Sequence, residues 1–340
     1  QPGSAFKPFV YSAALEKGIT PTTLVADEPI FVPADTPGGK DWSPKNYDGK
    51  YDGPMLLKEG LAKSKNMVSI RVLQEITPQY GQRWATQFGF PAANVPPYLT
   101  MALGAVTTNP LQMASAFAVF ANSGYRVKPY LIEKITDGTG RIVARARPAV
   151  AGEEANRVID ARNAFLTTRL LREVVERGTA TRAKVLNRGD IVGKTGTTND
   201  SHDAWFAGYN SDISAVAWVG YDQPRNLGAR ETGGGLALPI WIDYMRVALA
   251  DLPEKPQVVP PGIEFIDGNY YYSEYTPGNG ISRIDVGGSG DDIPSLFNFL
   301  KGLGGMLEGS GETPISGNPT AGDGTTHTAP ARPRDPPKDD

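Results

Sequence analysis

The chain has 340 residues, 40% of them hydrophobic, enough to bury a sizeable core, while 39 Gly and 29 Pro form a fifth of it and predict loop-rich or tail-like stretches. Lys and Arg number 34 against 37 Asp and Glu, and the resulting net charge of -3 removes the electrostatic case for a nucleic-acid partner. With no Cys and two His (His202 and His327), disulfides, thiolate nucleophiles and Cys-built or His-rich metal sites are excluded, and a Ser-His-Asp triad has only His202 to use.

Residues 4–17 predict a helix, with Ala5, Phe6, Phe9, Val10, Ala13 and Ala14 on one side at three-to-four spacing. Ser4 suits its start, Pro8 falls within or just after the opening turn, and Gly18 suits its stop. Residues 19–53, rich in Pro, Gly, Asp and aromatics, read as a structured surface excursion. Residues 54–76 carry a helical spacing of Leu, Val and Ile that predicts two helices with a break near Ser64-Lys65-Asn66. Further helices are expected at 80–89, 110–122 and 158–177, the last ending at Gly178. The period then changes. Runs over 189–198, 204–209 and 213–221 are rich in Val, Ile, Trp, Phe and Tyr, and Asn210-Ser211-Asp212 is a turn signal. They predict an antiparallel meander of about three strands, in which one of Trp205 and Phe206 faces the core. Residues 238–250 return to a helix.

Helices around an antiparallel sheet make residues 1–250 an α+β domain. Residues 251–307 read as a Pro-rich linker, densest at 253–262, and a short extension with room for a hairpin at 263–286. Tyr270-Tyr271-Tyr272 reads there as an exposed aromatic cluster. Residues 308–340 hold 6 Pro, 5 Gly and no aromatic. They cannot bury enough apolar surface to offset ordering entropy and are expected to be disordered. No 18-residue apolar run predicts a membrane-spanning helix, and no signal peptide is visible. A start at Gln1 reads as the interior of a longer protein, or as a processed or incomplete product.

Three short motifs carry chemistry. Ser4-Ala5-Phe6-Lys7 places a hydroxyl and an amine one helical turn apart on one face. A Ser hydroxyl is a poor nucleophile until a base takes its proton, and a desolvated Lys amine is the natural base where His is absent. The helix start also favours a developing oxyanion. Taken alone, this spacing arises by chance in a chain of this size. Ser64-Lys65-Asn66 lies 60 positions downstream. Ser64 can relay a proton and Asn66 can hold a substrate carbonyl; both residue types are equally at home as helix caps. Lys194-Thr195-Gly196-Thr197 lies on the first strand of the meander. A strand with small residues accepts a peptide alongside it, and Gly196 leaves room for a close backbone. Lys194, Thr195 and Thr197 offer a pocket for a terminal carboxylate, and Lys194 lowers the Lys7 pKa by like-charge repulsion. The spacing of a phosphate loop is absent. No cofactor or metal ion is expected. His202 reads as a loop-surface residue.

Together the motifs supply nucleophile and base, proton relay and carboxylate clamp. The trio, with the surrounding segments GSAFKPFVYSAALEKG, NYDGKYDGPMLLKEGLAKSKN, ALGAVTTNPLQMASAFAVFANSGY and GKTGTTNDSHDAWFAGYN, resembles class A penicillin-binding proteins, nearest to the 1A type, over roughly residues 1–250. The resemblance implies a penicillin-binding transpeptidase fold, shared with serine β-lactamases, whose N-terminal strands are missing before Ser4. It implies a serine DD-transpeptidase that crosslinks peptidoglycan. Ser4 is then the nucleophile toward a D-Ala-D-Ala stem peptide, Lys7 the general base, Ser64 the proton donor to the departing amine and Asn66 a donor-peptide ligand. Lys194, Thr195 and Thr197 then grip the terminal carboxylate beside Gly196, and the amides of Ser4 and Thr197 form the oxyanion hole. The implied partners are stem peptides of lipid II-derived glycan strands, β-lactams that acylate Ser4, and a membrane reached through an upstream anchor, on the periplasmic face of the inner membrane. The parent protein would also carry a glycosyltransferase domain. A β-lactamase needs a Glu-x-x-x-Asn loop, whereas Glu153 and Glu154 stand 3 and 2 positions before Asn156. The same three motifs would also serve a DD-carboxypeptidase or endopeptidase, or a non-catalytic penicillin-binding remnant.

Overall fold

Residues Lys7–Leu15 (α1) form a helix that is buried on every side, not on one. A helix that is apolar all round belongs at the centre of a domain, and α1 packs against elements from most of the chain. The computed structural model describes residues 1–33, 41–198, 201–228 and 231–285. The expected helix at 4–17 divides in two: Gly3–Phe6 is a tight 3-10 turn, and α1 takes over at Lys7. Pro8 lies in the first turn of α1, where its missing N–H costs nothing. Phe9 sits among Phe6, Phe88, Phe90, Phe117 and Phe120, with ring centroids 5.0 to 5.6 Å away.

Ile19–Asp27 is β1, and its burial corrects the surface excursion expected at 19–53. The Ile, Thr, Leu and Val of this stretch have strand propensity, diluted in a composition averaged over the Pro- and Gly-rich residues that follow. Pro21 is tolerated because it falls where the register between β1 and its neighbour shifts. Gly53–Leu56 (β2) pairs antiparallel with β1, so the first residues expected to be helical are a strand. The two helices then follow as Leu57–Ala62 (α2) and Asn66–Ile76 (α3), with the break at Lys63–Lys65. Pro78–Gln87 (α4) and Pro110–Ala121 (α5) match the expected helices. A hairpin of Lys134–Thr136 (β3) and Ile142–Arg145 (β4) lies on the surface. Ala161–Arg177 (α6) begins at an Asp160 side-chain cap.

The expected meander is present as Val192–Thr197 (β5), Asp203–Tyr209 (β6) and Ser214–Gly220 (β7), an antiparallel sheet in that order with β5 at one edge. Trp205 and Phe206 are both buried, because both faces of β6 are covered. Leu238–Ala248 (α7) follows a short π-helical turn. Ile263–Ile266 (β8) and Asn269–Tyr272 (β9) form the expected hairpin. The chain then returns in Ile281–Ile284 (β10), parallel to β1 in the sheet order β10-β1-β2. One unit therefore runs from Gln1 to Val286, past the boundary expected at 250. A Pro-rich stretch marked an edge in composition, but a returning strand carries the same sheet beyond it. The exposed tyrosine cluster is corrected too. Tyr271 and Tyr272 are buried, and their hydroxyls bond Thr22 and Glu16. His327 and the tail at 308–340 lie outside the described residues.

Candidate active site

Three backbone features bring the motifs together. Ser4 lies in the opening 3-10 turn, and the Lys7 amide donates to the Ser4 carbonyl. Such a first turn has N–H groups with no partner inside it. Gly196 on β5 faces that turn: a Cβ there would lie 2.2 Å from the Pro2 carbonyl oxygen and 2.9 Å from Ala5 Cβ. Any side chain would push the strand off the turn that carries Ser4. Ser64 follows α2 with φ +59°, a left-handed conformation that a non-Gly residue enters at a cost of about 1–2 kcal/mol. That turn aims its side chain back toward α1.

The result is a hydroxyl held between two buried amines. Lys194 Nζ donates to Ser64 Oγ at 2.8 Å, and Lys7 Nζ lies 3.5 Å from the same oxygen. Lys7 Nζ also donates to the Ser64 carbonyl at 2.7 Å and to Asn66 Oδ1 at 2.8 Å. Lys194 Nζ further donates to the Thr195 carbonyl at 3.1 Å. Both lysines are fully buried. Burial holds the Lys7 pKa well below the usual lysine range, the Lys194 charge lowers it further, and Asp27 opposes them. The expected like-charge effect is thus present but second to desolvation. Burial lowers Lys194 to about 7. A neutral amine has two N–H groups and one lone pair. With both of its hydrogens on Ser64 O and Asn66 Oδ1, a neutral Lys7 keeps its lone pair for a proton.

A cavity of about 780 Å³ opens over this arrangement, lined by Ser4, Ser64, Asn66, Thr195 and Thr197. Lys7 and Lys194 reach it through Ser64, and Gly196 lies on β5 between the lining residues Thr195 and Thr197. All eight residues singled out in the sequence therefore converge. Some of their polar groups are already engaged. Asn66 Nδ2 donates to the Lys45 carbonyl at 2.8 Å, Thr195 Oγ1 bonds Thr179 Oγ1 at 2.6 Å, and Thr197 Oγ1 accepts from the Gly233 amide at 3.1 Å. Among the described residues, the Ser4 hydroxyl takes no hydrogen-bond partner. His202, Glu153 and Glu154 are not among the lining residues. No group of three or more metal-ligating side chains occurs among the described residues, and none of their helices is long and apolar enough to cross a membrane.

Sequence reasoning missed Trp42, Lys45 and Tyr47 on one wall and Thr179 and Thr232 on another. It also missed Asn46, which is largely buried yet borders the cavity, and Asp27, fully buried and bonded to Asn46. Asp27 did leave a signal: an acidic residue closing an apolar, β-branched run, where a lone carboxylate is buried only with a partner.

Residues 1–240 match the family model for the penicillin-binding protein transpeptidase domain. The chain is 47% identical to penicillin-binding protein 1A of Neisseria lactamica over 289 residues, 85% of this chain and 36% of that protein. It is 44% identical to penicillin-binding protein 1A of Pseudomonas aeruginosa over 308 residues, 77% of this chain and 37% of that protein. The chain thus spans about a third of the length of these relatives. Among solved structures, penicillin-binding protein 1A from Haemophilus influenzae superposes with a TM-score of 0.76 at 36% identity, over 84% of this chain and 49% of that one. The PonA1 protein of Mycobacterium tuberculosis in complex with penicillin V gives 0.64 at 26% identity, over 83% and 74%.

Proposed function

Because the chain belongs to the penicillin-binding protein transpeptidase family, we propose that it crosslinks peptidoglycan as a serine D-Ala-D-Ala transpeptidase. The supporting observation is the Ser64 hydroxyl held between the two desolvated amines of Lys7 and Lys194. The Ser4 hydroxyl attacks the carbonyl of the D-Ala-D-Ala bond while the neutral Lys7 amine takes its proton. The amides of Ser4 and Thr197 receive the oxyanion. The proton passes from Lys7 through Ser64 to the departing D-Ala amine, leaving an ester on Ser4. An amine of a second stem peptide then attacks that ester, and the reverse transfer restores Ser4. Lys194, with Thr195 and Thr197, holds the terminal carboxylate before it departs. Asn66 binds the donor peptide and also fixes the Lys7 amine.

A β-lactam presents the same carbonyl and carboxylate, so it acylates Ser4. The substrate lies outside the cytoplasmic membrane, so the site faces the periplasm on the inner membrane. The whole protein is a bifunctional glycosyltransferase and transpeptidase of the 1A type, held to the membrane by its upstream part.

A labelled penicillin tests this reading. A lasting adduct on the chain, absent after Ser4→Ala, supports it. An adduct that survives Ser4→Ala overturns the nucleophile, and rapid turnover of the drug replaces the transpeptidase with a β-lactamase. Hydrolysed rather than crosslinked pentapeptide would favour a carboxypeptidase.

A further inference from the structure

Asp27 closes β1, is fully buried, and gathers donors from three parts of the chain. Its Oδ1 accepts from Asn46 Nδ2 at 2.7 Å. Its Oδ2 accepts from the Asp52 amide at 2.9 Å and pairs with Lys65 Nζ at 3.2 Å. Lys65 is the central residue of Ser64-Lys65-Asn66; it borders the cavity with its neighbours and sends its Nζ into this cluster. Asn46 completes the link: its Oδ1 accepts from the Asn66 amide at 2.8 Å and the Met67 amide at 3.3 Å. Lys65, at the cap position of α3, supplies no side-chain acceptor to these first amides, so Asn46 acts as a cap borrowed from another segment. One carboxylate thus pins the residue between Ser64 and Asn66 and also the cap beneath Asn66.

Ser64 needs such restraint, because its positive φ persists only where its surroundings impose it. Both partners of Lys7 on this turn, the Ser64 carbonyl and Asn66 Oδ1, move if the turn relaxes. Resting on the acyl-transfer reading above, we infer that Asp27 is a positioning residue of the reaction: through Lys65 and Asn46 it holds Ser64 and Asn66 where Lys7 can use them. Asp27 also has an electrostatic role. The charged groups that face Lys7 are Lys194 from β5 and Asp27 from β1, and Asp27 raises the Lys7 pKa. Lys65 offsets part of the Asp27 charge, with Asp48 and Asp52 beside it at 3.2 and 3.3 Å.

The test measures acylation of the full chain by a fluorescent penicillin, as a rate per labelled site, across pH. Asp27→Asn keeps the shape but turns an N–H toward groups that now donate. The expected result is acylation slowed by about 10–100-fold, with adduct still on Ser4 and the acid limb of the profile moved to lower pH, because a carboxylate that raised the Lys7 pKa has gone. A merely structural role lowers the melting temperature and the labelled fraction but leaves the per-site rate and the profile unchanged; that result overturns the inference. If Asp27→Asn does not fold, Asn46→Ala carries the test through the cap: slowed acylation supports the inference and a parental rate overturns it. Absence of label on the parent chain overturns the acyl-transfer reading itself, and the inference with it.

Discussion

Helix α1 buries two polar clusters, and they are built on opposite rules. Toward the cavity, Lys7 meets Lys194, both amines desolvated, over a Ser64 in a strained turn. Farther along the helix, Ser12 and Glu16 meet α6 and β9 in a cluster with no surplus of like charges. Ser12 Oγ donates to Asn163 Oδ1 at 2.6 Å and accepts from Trp84 Nε1 at 3.0 Å. Asn163 Nδ2 donates to the Ser12 carbonyl at 2.9 Å and to Glu16 Oε1 at 2.8 Å, and the Tyr272 hydroxyl donates to the same carboxylate at 2.6 Å. Burial and the Glu16 charge push the Tyr272 pKa far up, so that donor stays protonated. The second cluster pairs its buried donors with acceptors, which is how buried polar groups stabilise a fold. The first keeps like charges together in a desolvated place, which depresses pKa values, as the proposed base requires. The two differ in purpose, reactivity against anchorage, although they share a helix.

Three substitutions bear on that contrast. Lys7→Met should give the largest effect: loss of the base cuts β-lactam acylation about 10²–10⁴-fold, read as a labelling rate. In the parent chain that rate should rise with pH as Lys7 loses its proton. Lys194→Met should slow acylation about 10²–10³-fold and yet raise the melting temperature. Lys194 has a pKa of about 7 in the folded chain against an ordinary 10.5. Below pH 7 it is charged in both states and the burial penalty is complete; between 7 and 10.5 the penalty fades as pH rises. The thermal gain from Lys194→Met should therefore be greatest below pH 7 and vanish near 10.5. A loss of stability in mildly acidic buffer would show the charged side to be an anchor like the other. Asn163→Ala should have the smallest effect on chemistry: about 1–3 kcal/mol less stability, measured by denaturant unfolding, with acylation per labelled site unchanged. A slowed rate there would join the two clusters into one device.

The helices were legible because apolar spacing and capping residues are local signals, and the meander was legible because strand propensity and the turn at 210–212 coincide. β1 was hidden because Pro21 and a Pro- and Gly-rich sequel masked a buried strand. β10 was hidden because so short a run carries too little pattern to predict a partner at the far end of the chain. Of the site, each motif named its residue types, while Asp27 and Asn46 belong to no motif and are visible only once β1 stands behind Ser64.

The order of residues by itself determined which groups exist to react: a hydroxyl and an amine three positions apart, a Ser and an Asn two apart, and a Lys-Thr-Gly-Thr run, in a chain without Cys and almost without His. Folding alone decided that these groups meet, that Lys7 and Lys194 lose their water, and that one carboxylate from β1 steadies the turn between them. Reactivity here depends on burial and on distances of a few ångströms, and both are properties of packed segments that lie far apart along the chain.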